Sequence, residues 1–151
     1  MRVWHRRAFT GLSALVAATG IVYFWMKDLL VADDPLALVN HPLQPMMLDL
    51  HLVSGPALLV IFGVVFNAHV AAQLQRRAPL RRSGLASLAT FAAMAMTGYV
   101  LPVLVDERVH LAMRWLHIVS GLVFAISYGI HLVAGLRLWR RPAVGLTASS
   151  R

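Results

Sequence analysis

Cysteine is absent from the 151 residues. That absence excludes disulfides, covalent haem attachment through Cys-x-x-Cys-His and cysteine-ligated iron–sulfur clusters. Charge is also scarce, at 13% of residues, about half of the ~25% usual in a soluble domain. Only six residues are acidic. No glycine-rich loop precedes a basic residue to cradle phosphate, no His-Glu-x-x-His zinc signature occurs, and no dinucleotide fingerprint is visible.

What fills the chain instead is apolar sequence, 59% of it. The apolar stretches run over approximately 8–26, 50–75, 84–105 and 111–136. Each is near the ~20 residues that cross a hydrocarbon core of about 30 Å. Backbone polar groups facing lipid must be satisfied within the segment, so helices are expected. The sequence therefore predicts an all-α integral membrane four-helix bundle in one domain, 1–151. Arg2, Arg6 and Arg7 before the first run resemble a signal-peptide n-region. The run continues through Met26 to Lys27 without a small-x-small cleavage site, so it is read as a retained helix.

The charges are sorted by connection. Arginines 2, 6 and 7, then 76, 77, 81 and 82, then 137, 140, 141 and 151 occupy the N-terminus, the second connection and the C-terminus, with no acid among them. All six acids, Asp28, Asp33, Asp34, Asp49, Asp106 and Glu107, lie in or beside the other two connections. Cytoplasmic loops carry the Lys/Arg excess, so both termini are expected in the cytoplasm and the acidic loops outside. A multi-pass membrane location is implied. The net charge of +8 then follows from topology, and no nucleic-acid partner is expected, because such binding needs a basic face with reading elements.

The first connection, about 27–48, contains the proline-stiffened His41-Pro42-Leu43-Gln44-Pro45 and is expected to lie over the outer surface. The second is short, around Arg76-Arg77-Ala78-Pro79-Leu80-Arg81-Arg82, and the third is a tight turn around Asp106-Glu107-Arg108 after Pro102. Short connections imply antiparallel neighbours. The tail Thr147–Arg151 is expected to fray.

The chain repeats itself. Leu-His-Leu-Val-Ser-Gly at 50–55 returns as Leu-His-Ile-Val-Ser-Gly at 116–121, and each copy opens a long apolar segment. A second histidine follows near the far end of each: His69 after His51, and His131 after His117. At about 100° and 1.5 Å per residue, each helix presents one outer and one inner histidine on a single stripe. Imidazole is a normal axial ligand of haem iron. Two facing stripes pair His51 with His117 outside and His69 with His131 inside, which implies two non-covalent haem b groups. The spacings differ, 18 residues against 14, a mismatch of about 6 Å. Helix tilt and a kink at Pro56 are expected to absorb it.

An ionisable residue inside a membrane is costly and points to function, although each histidine could instead be a hydrogen-bonding link between helices. His5, in Arg2-Val3-Trp4-His5, competes with His69 for the inner position, while His41 and His110 read as surface residues. Gly55 and Gly121 follow the outer histidines by four residues, and Gly63 and Gly129 by twelve. All four are read as clearance for a macrocycle, against the alternative of close helix contact. Arg114, one turn before His117, is expected to pair with a haem propionate, as Arg108 could; a salt bridge with Asp106 or Asp49 is the alternative. Ser54 and Ser120 either bond back to helix carbonyls or orient the histidines.

Trp115-Leu-His117-Ile-Val-Ser-Gly121 followed by Tyr128-Gly-Ile-His131-Leu resembles the last ligand helix of bacterial cytochrome b561-like proteins, among them the membrane cytochrome b subunits of formate dehydrogenases and nickel–iron hydrogenases. The opening Arg2-Val-Trp-His5 and later Thr19-Gly20 are similar to the first helix of that family, with Arg6 where a tryptophan usually follows. The resemblance implies a dihaem membrane protein linking a quinone to a redox partner protein or larger complex, with no catalytic residue of its own. In much of that family a first-helix histidine serves the inner haem; Arg6 departs from the pattern around His5, and His69 points to a different arrangement here. Alternatives are a stand-alone oxidoreductase acting on superoxide or ferric iron, a histidine-lined divalent-metal transporter, and a structural membrane subunit. The rim near His110, Asp106 and Glu107 offers groups able to handle protons.

Overall fold

The computed structural model describes residues 3–32, 34, 36–75 and 81–139. It is helical throughout its ordered elements, with no strand among the described residues. Helix α1 spans Val3–Phe24 and ends in a π turn, Trp25–Leu29. Helix α2, Gln44–Val65, runs into a second π turn, Phe66–Val70, and then the short α3, Ala71–Gln75. Helix α4 spans Arg81–Val100 and closes with a 3-10 turn, Leu101–Val103; α5, Glu107–Trp139, is the longest. Four of these segments are long and apolar enough to cross a membrane: Val3–Leu29, Gln44–Val65, Arg81–Val103 and Glu107–Arg137.

All four spanning helices start earlier than the apolar runs alone predict. The apolar run of α2 opens near 50, yet the helix begins at Gln44 with Pro45 in its first turn, where the missing N–H costs nothing. Asp106 accepts from the Val109 amide at 2.9 Å and so starts α5. Pro56 lies inside α2 without ending it; the irregularity in the helix comes ten residues later, at the π turn that contains His69. A π turn packs more residues into each turn, so it takes up part of the spacing mismatch assigned to Pro56. The expected arginine-rich second connection falls largely on 76–80, and the C-terminal tail on 140–151, both outside the described residues; Arg81 and Arg82 open α4.

Helix α1 packs along α2, and α4 along α5. The two hairpins meet more sparsely, along a seam. Across it Phe9 touches Phe91 and Tyr128, Phe62 stacks on Phe91 at 4.1 Å, and Thr10 shares a 2.8 Å hydrogen bond with Tyr128. Five rings, Phe9, Phe62, Phe91, Phe124 and Tyr128, thus form a layer drawn from all four spanning helices. The repeat is visible in this packing. Leu58 and Phe124, seven residues after the repeated histidines, are both buried in the core; Phe62 and Tyr128, eleven after, both pack against it. Faces turned away from the core are apolar and open, as at Val60 (70% exposed) and Ile126 (64%), which is the surface a lipid-embedded bundle requires.

Candidate cofactor site

His51 of α2 and His117 of α5 meet across the seam with ring centroids 6.1 Å apart and ring planes at 81°. A metal–imidazole bond is about 2.0 Å and the ring centre lies roughly 1 Å beyond the nitrogen, so two imidazoles on opposite sides of one metal stand about 6 Å apart. The separation is therefore that of a pair able to share one metal atom.

Their second nitrogens are accounted for. His51 Nδ1–H donates to the carbonyl of Val16 at 3.0 Å, and His117 Nδ1–H to that of Met94 at 2.9 Å. A carbonyl only accepts, so the proton of each neutral ring sits on Nδ1 and Nε2 keeps its lone pair. Hydrogen bonding of the distal nitrogen to a carbonyl is how proteins fix the orientation of ligating histidines. Each Nδ1 also lies 3.3 Å from a threonine hydroxyl, Thr19 for His51 and Thr97 for His117.

A glycine follows each threonine. A Cβ on Gly20 would stand 2.9 Å from His51 Cε1, and one on Gly98 would stand 2.8 Å from His117 Cε1. The imidazoles approach α1 and α4 this closely only because no side chain is there. These glycines, rather than the four expected to clear a macrocycle, form the tight contacts. A Cβ on Gly121 would stand 3.7 Å from the thioether of Met94, an ordinary contact, and Gly55 faces open space. Gly63 and Gly129 sit about 120° around their helices from the histidines. Each faces open space and lines a shallow outward groove, with Val60, Val64 and Asn67 in one case and Ile126, Ile130 and Val133 in the other.

At the other end of the bundle, His131 Nδ1 and Ser83 Oγ are 3.1 Å apart, and a Cβ on the next residue, Gly84, would lie 3.3 Å from His131 Cε1. His69 stands in the second π turn, Phe66–Val70. Among the described residues, His51–His117 is the one expected ligand pair in ring contact. His5 lies at the same end: the Thr10–Tyr128 bond fixes the level, with His5 five residues from it and His131 three, about 7.5 and 4.5 Å. The Nδ1 of His5 is buried without a hydrogen-bond partner, and Trp4 meets the ring edge-on at 4.0 Å. The competition between His69 and His5 for this end persists in the structure.

Arg114 pairs with Asp28, which the first π turn carries, and not with Asp106 or Asp49. The pair is about one-quarter exposed. Ser54 bonds back to the carbonyls of Leu50 (2.6 Å) and His51 (3.2 Å), and Ser120 to that of His117 (3.2 Å), so both satisfy the helix rather than a histidine ring. His41 Nδ1 accepts from the Leu43 amide in the first connection, and His110 stands in the first turn of α5.

Among the described residues no three His, Asp, Glu or Cys side chains converge; the donors at this end are the Nε2 lone pairs of His51 and His117. No family model, curated protein or solved structure matches the chain.

Proposed function

We propose that this chain is an integral membrane b-type cytochrome that carries electrons between the two faces of a bilayer. His51 and His117 would hold one haem and His131 with His69 a second; each bound haem supplies a reversible one-electron couple. The observation that carries the reading is the His51–His117 pair, 6.1 Å apart with both Nδ1 positions engaged and both Nε2 lone pairs unused. The chain's own contribution is to orient these rings, to keep water out with the five-ring layer and to bring the two ends within reach. His117 and His131 are 14 residues apart on α5, about 21 Å along the axis.

The arginine distribution supports both termini in the cytoplasm of a bacterial inner membrane, with the His51–His117 end outside. The b561-like resemblance adds a quinone and a redox partner protein, or a larger complex, as the electron donor and acceptor. Arg114 gives one of its five N–H donors to Asp28, which leaves others to meet a propionate. Metal transport has less support, since no third ligating group joins either histidine pair among the described residues.

A reduced-minus-oxidised optical spectrum and haem assay of the purified protein test the proposal. A b-type α band with two haems per chain is expected. No band, or haem content near zero, refutes it; a single haem refutes the second pair. His69→Ala and His5→Ala, made separately, then assign the remaining ligand, since only the true ligand's loss removes the haem shared with His131.

A further inference from the structure

Two helices that carry neither His51 nor His117, α1 and α4, present the same three groups to the ring on their neighbour. On α1 these are the Val16 carbonyl, the Thr19 hydroxyl and the bare Cα of Gly20. On α4 they are the Met94 carbonyl, the Thr97 hydroxyl and the bare Cα of Gly98. The matching distances agree to 0.1 Å: 3.0 and 2.9 Å to the carbonyl, 3.3 Å twice to the hydroxyl, 2.9 and 2.8 Å to the missing Cβ.

The threonines do more than approach the ring. Thr19 donates to the carbonyls of Leu15 (2.9 Å) and Val16 (3.1 Å), and Thr97 to those of Ala93 (2.7 Å) and Met94 (3.0 Å). Such back-bonding bends a helix locally. In both copies the carbonyl that receives the imidazole proton is one that the threonine also binds. The hydroxyl thus holds the acceptor in place, and the glycine beside it lets the ring come within range.

We propose that Thr19-Gly20 and Thr97-Gly98 are paired positioning residues that fix His51 and His117 as Nδ1–H tautomers and keep them electron-rich, with Ser83-Gly84 a third, hydroxyl-only version for His131. This rests on the reading of His51 and His117 as haem ligands. Donation from Nδ1–H to a carbonyl makes the far nitrogen more basic, which favours the oxidised iron. Loosening the acceptor therefore raises the midpoint potential of that haem alone.

Two measurements test it. In haem-free protein with ¹⁵N-labelled histidine, His51 and His117 should each appear as a single neutral Nδ1–H tautomer, assigned by His51→Gln and His117→Gln. Thr19→Val and Thr97→Val should each turn one of these signals into a tautomer mixture, and Thr19→Ser should restore it. In loaded protein the same valine variants should raise the midpoint of the His51–His117 haem and leave the other unmoved, while Ser83→Ala does the converse. Gly98→Ala should cut haem from two per chain to one. Wild-type tautomers and midpoints in both valine variants overturn the proposal, whether or not Gly98→Ala folds. Should the protein bind no haem at all, the electron-transfer reading falls and the tautomer measurement alone decides: Nδ1–H at both rings upholds the positioning role, and Nε2–H or a mixture in the wild type overturns it.

Discussion

Asp28 and Arg114 are 86 residues apart in sequence and form an ion pair across the seam, one turn from His117. With Phe24 and Trp115, whose rings meet edge to face at 6.2 Å, they clasp the two hairpins at the end where the closest histidine pair lies. Both partners are partly exposed, and such pairs contribute at most about 1 kcal/mol. Asp28→Asn should therefore lower the unfolding free energy in detergent by about 1 kcal/mol or less. A loss several times larger in thermal or denaturant unfolding would mean that the clasp carries the seam.

Leu58 is 2% exposed and sits in the core contacted by Phe9 and Phe124. Leu58→Ala should destabilise the protein by about 2–5 kcal/mol through lost contact and a residual cavity. Phe91→Ala, which also removes the stack on Phe62, should cost about 3–5 kcal/mol. Equilibrium unfolding in mixed micelles measures both, and near-neutral results would contradict the packed aromatic layer.

Tyr128→Phe and Thr10→Val remove opposite ends of one hydrogen bond. Each should cost roughly 0.5–1.5 kcal/mol, and the double variant no more than about the larger single loss, because the partners share one interaction. A strictly additive double variant would show that the bond does not couple the hairpins.

Gly63→Ala and Gly129→Ala should leave the histidine sites undisturbed, since nothing lies within 4 Å of either position and both border outward grooves. Gly20→Ala should not be tolerated in the same way, because its Cβ would stand 2.9 Å from His51. Stability and haem content of the three variants side by side check the contrast; equal losses would place Gly63 and Gly129 back on the ligand face.

Much of this arrangement was legible in the sequence because membrane helices announce themselves by apolar length, and because His51 and His117 sit in a repeated hexapeptide. The α4–α5 pairing followed from a short connection, whereas α1 and α2 pair across the longest one and α2 packs on α1 rather than along α4. Gly20 and Gly98 were missed as contact residues: they lie on helices that carry neither His51 nor His117, and their value appears only when a ring from another helix packs on them. The signal was present in the repeated Thr-Gly of α1 and α4. Spacing from His51 and His117 instead drew attention to Gly63 and Gly129, which a count of twelve residues carries a third of the way around the helix. The Asp28–Arg114 pair was hidden for a similar reason, since a π turn, which no periodicity foretells, sets where Asp28 lies.

The five-ring layer between the two ends contains a single titratable group, the Tyr128 phenol, and that is bonded to Thr10. Carboxylates, histidines and cations are confined to either side of it among the described residues. A proton has no ladder of ionisable groups to climb there. An electron passing from one histidine pair to the other, about 21 Å along the axis, would cross part of the membrane voltage, so each transfer would work with or against up to about 2.3 kcal/mol for every 100 mV.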